Sequence, residues 1–270
     1  MQWPQCPVCS IGKAAPLLAK DFNISCNDYF EGARTYPLSG SLVHFVECSE
    51  CGFAWIPELH LWTHKQFRDA IYNEDYILCD PHFAEIRPRK LAAWLATFAR
   101  GMRVLDYGGG EGATARELRR FGVDAVCWDP FYISAPPPKG PFDLVTAFEV
   151  VEHVPDQVGL FSRLAELCGD GLLVFSTLLR PRTQKGDWWY ACARNGHVSL
   201  HTEESLSHVA GLVGMQVHTL DGHTHVAARR GKAIAATDLP APIAIGDVPS
   251  YRLELETGKF HSVMGADPVS

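Results

Sequence analysis

Long apolar runs are missing from this chain. The longest, such as Leu91–Ala99 with its one threonine, fall far short of the ~18 residues that a membrane-crossing helix needs. The opening MQWPQCPVCS has no basic stretch leading into an apolar one, so no export signal is expected, no membrane partner is expected, and the expected compartment is the cytoplasm. Basic excess is missing as well: 24 Lys and Arg stand against 31 Asp and Glu, a formal charge of −7. Residues 1–90, 91–231 and 232–270 are each net acidic, so no part carries the electrostatic footprint of a nucleic-acid reader. No internal repeat is present, and no Gly-Lys-Ser/Thr follows the glycine-rich turn, which excludes a Walker phosphate loop. What is there is 270 residues, 47% hydrophobic and 20% charged. That composition excludes disorder as the main state and allows one large domain, or one domain with a small companion.

Cysteine, by contrast, is plentiful: nine, an odd number, in a chain expected to meet a reducing compartment, where metal binding or catalysis outranks a disulfide framework. Four form two CxxC pairs, Cys6-Pro-Val-Cys9 and Cys48-Ser-Glu-Cys51. Each pair makes a knuckle that aims both sulfurs at one ion, and four thiolates suit Zn2+ with a closed shell and no open position for water. The expected role is structural, supplying folding energy to a lobe too small to hold itself together. Cys26 lies between the pairs as a substitute ligand, whereas Cys79, Cys127, Cys168 and Cys192 are scattered singly.

The pattern along the chain predicts four regions: a zinc-binding lobe over 1–58, a connecting helix and loop over 59–85 with the Tyr72–Tyr76 cluster, a core over 86–231, and a tail over 232–270 that lacks helical or strand periodicity. In the core, short strands alternate with helices from Arg103 onward, as in a mostly parallel α/β sheet. Asp129–Pro141, with Ala135-Pro-Pro-Pro138, is too short for a full helix and strand.

The first core strand ends in Gly108-Gly109-Gly110-Glu111-Gly112. Gly108-x-Gly110-x-x-Ala113 also fits a dinucleotide fingerprint, with Asp129 placed to hold a ribose. Asp106, two residues before the first glycine, argues otherwise: a carboxylate is unhelpful beside a pyrophosphate but suits a ligand with an ammonium and a sulfonium, as in S-adenosylmethionine (SAM). Three motifs, Val104-Leu-Asp-Tyr-Gly-Gly-Gly-Glu-Gly112, Asp129-Pro130 and Phe142-Asp-Leu-Val-Thr-Ala-Phe-Glu-Val-Val-Glu-His-Val-Pro-Asp156, resemble those of class I SAM-dependent methyltransferases over residues 86–229. The resemblance implies a Rossmann-like seven-stranded sheet with helices on both faces and a reversed last strand, preceded here by a zinc-ribbon-like lobe. It also implies that Asp106, Gly108, Gly110 and Gly112 line the methionine end of SAM, that Asp129 holds the ribose, that Phe148 and Glu149 lie beneath the cofactor, and that Phe131 covers the adenine.

A four-cysteine lobe before such a domain resembles bacterial sugar methyltransferases, including those that methylate carbon on nucleotide-linked deoxysugars; Trp188-Trp189-Tyr190…Gly196-His197-Val198-Ser199-Leu200 resembles a segment of related small-molecule enzymes. The sugar C-methyltransferases continue into another domain where this sequence has only 232–270. The expected acceptor is a small molecule, a sugar or nucleotide-sugar among the choices. An activated methyl group demands alignment and removal of the acceptor's proton. The candidates for that work are His153 and His197, with Glu152 orienting His153, and Tyr190 as part of an aromatic wall with Trp188 and Trp189. Adjacent tryptophans on a strand are not expected to face one core together. His201, just before a helix start, reads as structural, and Arg180, Arg182 and Lys185 are a phosphate clasp or a solvated loop. Rival readings are a zinc-ribbon RNA methyltransferase, a nicotinamide oxidoreductase and a non-catalytic SAM-binding protein that uses the lobe for partners.

Overall fold

The computed structural model describes residues 4–30, 32–80, 86–232, 239–240, 250–253 and 260–263. The N-terminal part contributes β1 (Ala14–Asp21), β2 (Leu42–Cys48) and β3 (Ala54–Trp55), followed by the short helices α1 (His64–Ala70) and α2 (Tyr76–Cys79). The rest runs α3 (Ile86–Leu95), β4 (Arg103–Tyr107), α4 (Ala113–Arg120), β5 (Asp124–Trp128), β6 (Leu144–Ala147), α5 (Gln157–Cys168), β7 (Leu172–Ser176), β8 (Ser199–Leu200), α6 (Glu203–Leu212), β9 (Met215–Thr219) and β10 (Thr224–Arg229).

The large sheet has the order β5-β4-β6-β7-β10-β9. β4 pairs in parallel with β5 and β6, and β6 with β7, while β10 runs antiparallel between β7 and β9. β6 is buried at all four positions and β7 at nearly all, as strands covered on both faces must be. α5 lays Leu160, Phe161, Leu164, Leu167 and Cys168 on one face of the sheet, at helical spacing, and Asp156 caps it by accepting the Gly159 N–H at 2.9 Å. α4 buries Thr114, Ala115 and Leu118 and carries Arg119 and Arg120 at its carboxyl end, where they oppose the helix dipole.

The sheet is Rossmann-like with a reversed strand near its end, as the resemblance implied, but has six strands rather than seven among the described residues. The stretch from Asp129 to Pro141 is too short to supply the extra helix and strand, so β5 stays at the edge, with Val126 exposed. In the tail, most residues lie outside those described; two short strands, Ser250–Leu253 and Phe260–Val263, pair antiparallel where no strand periodicity was read. Pro240 accepts a hydrogen bond from the Trp94 indole at 3.2 Å.

The smaller sheet has the order β1-β2-β3-β8, and its last strand comes from the segment after β7: Ala54 pairs with Leu200 and Trp55 with Ser199. The same segment enters the core of the N-terminal part, packing Trp188, Trp189, Ala191 and Val198 with Phe45, Ile56, Phe67 and Ile71. The expectation about adjacent tryptophans is corrected here. The segment is a turn and not a strand, with the Ala191 N–H bonded to the Trp188 carbonyl at 3.0 Å, and both indoles are buried. No helix among the described residues is long and apolar enough to cross a membrane.

Three structural histidines sit in this packing. His60 lies 3.2 Å from the Val198 carbonyl, His201 lies between Ser205 Oγ and Gln157 Oε1 at 2.9 Å each, and His225 lies 2.9 Å from the Thr177 carbonyl. Burial pushes their pKa values down to about 4, about 3 and about 4. An unfolded chain takes up protons at these residues near the ordinary value of about 6.5, so below that the unfolded state binds more protons and folding weakens. Urea unfolding should give a stability that falls from pH 6.5 towards 4, each histidine contributing up to ~1.4 kcal/mol per pH unit. His201→Gln should make the fall shallower; an unchanged slope would contradict the assignment.

Candidate active site

At the carboxyl edge of β4, Asp106 is 3% exposed. Its Oδ1 accepts the Thr146 hydroxyl at 3.0 Å, its Oδ2 has no partner, and burial raises its pKa to about 7. The turn that follows holds Gly108, Gly110 and Gly112 at positive φ. Glycine is needed at 108 on two counts: φ is +73°, and a Cβ would stand 2.5 Å from Val150 Cγ2. Asp129, at the end of β5, accepts the Gly110 N–H at 2.9 Å and the Phe131 N–H at 2.8 Å, tying the turn to the neighbouring strand end. The Phe131 ring lies 4.9 Å from Tyr72 and 5.5 Å from His64. Phe148 packs edge-on against Trp94 at 6.3 Å. Glu149 has a left-handed backbone, φ +54°, and exchanges two hydrogen bonds with Ser176 Oγ. Burial opposes its charge, yet the His223 imidazole 3.2 Å away and the charge of Arg87 hold its carboxyl well below the usual range. His223 and Arg87 escaped the sequence reading because their importance lies in a partner distant in sequence.

Next to this turn stands a second group. Glu152 and His153 lie in a 3-10 turn, Val151–His153, just beyond β6. Glu152 is fully buried; Oε1 accepts the Tyr190 hydroxyl at 2.6 Å and Oε2 has no partner. Burial, helped by the charge of Glu149, raises its pKa to about 8. His153 Nδ1 is 3.1 Å from the Tyr72 hydroxyl, and burial lowers its pKa to about 3. His197 stacks 5.1 Å from the His153 ring and 4.1 Å from Tyr190, its Nδ1–H donates to the Tyr190 carbonyl at 2.7 Å, and burial lowers its pKa too. The structure thus brings together all four residues singled out for catalysis and adds Tyr72, which the sequence offered only as part of a cluster. Gly196 allows this closeness: φ is +88°, and a Cβ there would be 2.5 Å from the Tyr72 hydroxyl and 2.7 Å from His153 Nδ1.

The remaining polar candidates have other partners. His201 is away from this group, as described above. Arg180 bonds Glu47 and the carbonyls of Gly52 and Gln184, Arg182 bonds the carbonyls of Ser49 and Glu50, and Lys185 pairs with Glu47. The clasp they form is on the chain itself: Arg180 is buried against Glu47 and two carbonyls and is neither a phosphate clasp nor part of a solvated loop, whereas Arg182 and Lys185 are exposed as the solvated-loop reading expects.

The CxxC pairs converge. Cys6 and Cys51 sulfurs are 3.7 Å apart, Cys9 and Cys48 are 3.5 Å apart, and all four lie within 4.8 Å of one another without a disulfide. Zn–S bonds of about 2.3 Å in a tetrahedron put sulfurs about 3.8 Å apart, so the cluster has the right size for zinc. The Gly12 N–H points at Cys9 Sγ, 3.4 Å. Cys26 is elsewhere, 3.7 Å from His197 Nδ1.

A family model described as a methyltransferase domain matches residues 83–220, just over half of the chain. The chain belongs to the SAM-dependent methyltransferase family. A ubiquinone biosynthesis O-methyltransferase of Bradyrhizobium diazoefficiens is 35% identical across 30% of this methyltransferase and 41% of its own length, so the chain spans less than half of that relative. Similar solved structures include magnesium protoporphyrin IX methyltransferase of Synechocystis with bound SAM (17% identity, 63% of this chain and 93% of that one, TM-score 0.39). Another is the 1,6-didemethyltoxoflavin-N1-methyltransferase of Burkholderia thailandensis (18% identity, 72% and 97%, TM-score 0.43).

Replacing Gly196 tests how tightly the second group is built. Gly196→Ala should lower the unfolding free energy by at least ~1 kcal/mol, from the left-handed backbone alone, and should shift the His153 imidazole resonances as Tyr72 is pushed away. Wild-type stability and spectra would show a looser cluster than described.

Proposed function

We propose that this methyltransferase binds SAM at the β4–β5 edge and transfers its methyl group to a hydroxyl of a small molecule, with a sugar or nucleotide-sugar as the favoured class. The observation that carries the reading is the bare, buried Oδ2 of Asp106 at a left-handed glycine turn, against which Val150, two residues before Glu152, packs. An orphaned carboxylate oxygen there suits a cationic ligand: it regains its charge when an ammonium or sulfonium approaches. SAM, once bound, supplies an already activated methyl group.

The residues divide the work. Asp106, Gly108, Gly110 and Gly112 receive the methionine end, and Asp129 keeps lone pairs for ribose hydroxyls beside the two backbone amides it holds. Phe148 and Glu149 form the floor, and Phe131 with Tyr72 forms the side towards the adenine. Glu152, His153 and His197 handle the acceptor's proton: both imidazoles are neutral at physiological pH because burial keeps them so, and a neutral imidazole can accept. Tyr190 orients Glu152 through its hydroxyl. The O-methyl chemistry in the name of the Bradyrhizobium relative favours oxygen as the atom methylated. The lobe over residues 1–58 holds one structural zinc on Cys6, Cys9, Cys48 and Cys51, the segment 59–85 links it to the catalytic domain over 86–231, and 232–270 follows as a tail.

Calorimetric titration should give sub-millimolar SAM binding and none for NADH, and Asp129→Ala should weaken SAM by about tenfold, the loss of roughly one charge-assisted hydrogen bond. His153→Gln and His197→Gln should keep SAM affinity and lose transfer of labelled methyl to pooled nucleotide-sugars. Failure of the wild-type protein to bind SAM would remove the reading. Metal analysis should find one zinc per chain, lost in the Cys48→Ser, Cys51→Ser double variant together with the folded signal of the N-terminal part.

A further inference from the structure

We propose that Glu152, His153 and His197 form a second metal site, separate from the four cysteines, which takes one divalent first-row transition ion. This deepens the function proposed above and rests on it, since the ion would face the acceptor. Each of the three residues offers a ligand atom, and these atoms lie within 4.8 Å of one another. They do not satisfy each other: His153 Nε2 and Glu152 Oε1 stand 4.0 Å apart, beyond hydrogen-bond length, and Glu152 Oε2 is fully buried without a partner.

The outer atoms of the three side chains are already engaged, which is the arrangement that orients metal ligands. His197 Nδ1–H donates to the Tyr190 carbonyl at 2.7 Å, leaving the Nε2 lone pair free in the neutral tautomer. His153 Nδ1 meets the Tyr72 hydroxyl at 3.1 Å, leaving its Nε2. The Tyr190 hydroxyl fixes Glu152 by donating to Oε1 at 2.6 Å, leaving Oε2. Gly196 leaves room for the Tyr72–His153 contact, which a Cβ there would obstruct at 2.5 Å from the Tyr72 hydroxyl and 2.7 Å from His153 Nδ1. Two imidazoles and a carboxylate favour Mn2+, Fe2+, Co2+, Ni2+ or Zn2+ over Mg2+ or Ca2+, which prefer all-oxygen shells. Three protein ligands leave coordination positions open. There the ion would hold the acceptor's hydroxyl oxygen and lower its pKa; with both imidazoles taken up as ligands, the proton would pass to solvent in place of the histidine route given above, while SAM-dependent transfer to a hydroxyl stays as proposed.

The test uses protein shown by metal analysis to hold its cysteine-bound zinc, titrated with Mn2+ and followed by electron paramagnetic resonance of the free ion. One further ion per chain is expected to bind. Glu152→Gln, His153→Gln and His197→Gln should each weaken it by at least about tenfold, and Tyr190→Phe, which removes only the outer hydrogen bond, by about tenfold. Zinc content and SAM affinity should stay at wild-type values in all four. Should Glu152→Gln fail to fold, the two histidine variants carry the test. No uptake of a second ion at millimolar Mn2+ by folded, SAM-binding wild-type protein would overturn the site, as would uptake that survives all the ligand variants. Full methyl transfer by protein that keeps zinc but has been stripped of the second ion would overturn its role while leaving the methyltransferase reading intact. Loss of SAM binding in the wild type would instead strike that reading.

Discussion

Four backbone carbonyls around the second cysteine knuckle hold this molecule's two halves in register. Arg182 donates to the carbonyls of Ser49 and Glu50, Thr202 donates to that of Cys51 at 2.7 Å, and Arg180 donates to that of Gly52 at 2.8 Å. Two of these donors are charged, and hydrogen bonds to charged groups are worth roughly 1.5–3 kcal/mol each where buried. The donors bracket the segment that runs through Trp188, Tyr190 and His197 and ends as β8. Fixing both of its ends against the knuckle is what lets its middle fold back as a turn, bury two tryptophans and present Tyr190 and His197 to Glu152. The cysteine knuckle therefore bears on the placing of Tyr190 and His197 through these side-chain to backbone hydrogen bonds, together with the β3–β8 pairing and the packing of Trp188 and Trp189.

At the carboxyl edge of the large sheet, three acidic side chains are used in two electrostatic ways. Asp106 and Glu152 are buried with one bare oxygen each, and burial raises both pKa values towards neutrality. Glu149, partly exposed and faced by His223 and Arg87, is held well below the usual range. Desolvation raises all three, and the partners of Glu149 outweigh it where Asp106 and Glu152 have none to match. Unpaired buried carboxylates cost stability in the free protein, and sites of this kind are where a fold accepts such a cost for the sake of a ligand.

Much of this was legible in the sequence. The alternation of buried strands and amphipathic helices, the Asp106-to-Gly112 turn, the acidic strand end at Asp129 and the paired cysteines are local patterns, each with a local physical cause. The short Asp129–Pro141 stretch already contained the reason for the sixth-strand count, although the family resemblance pointed to seven. Left open or misjudged were features whose cause is a contact distant in sequence: Arg180, read as a ligand clasp or part of a solvated loop and found buried, and Trp188 and Trp189, read as a strand with one face inward. An arginine reads alike whether its partner is a phosphate or a carbonyl more than a hundred residues away.

By itself, then, the sequence determined the sheet, the glycine turn and the paired cysteines, because strand periodicity, glycine's freedom at positive φ and CxxC spacing act over a few residues. Only the tertiary structure decided the cluster around Glu152, His153 and His197. Tyr72 comes from the connecting segment, Glu152 and His153 from the end of β6, and Tyr190 and His197 from a segment that crosses to the smaller sheet; no periodicity relates them. Their meeting depends on where β8 pairs and on a glycine at 196 that leaves room for Tyr72 against His153.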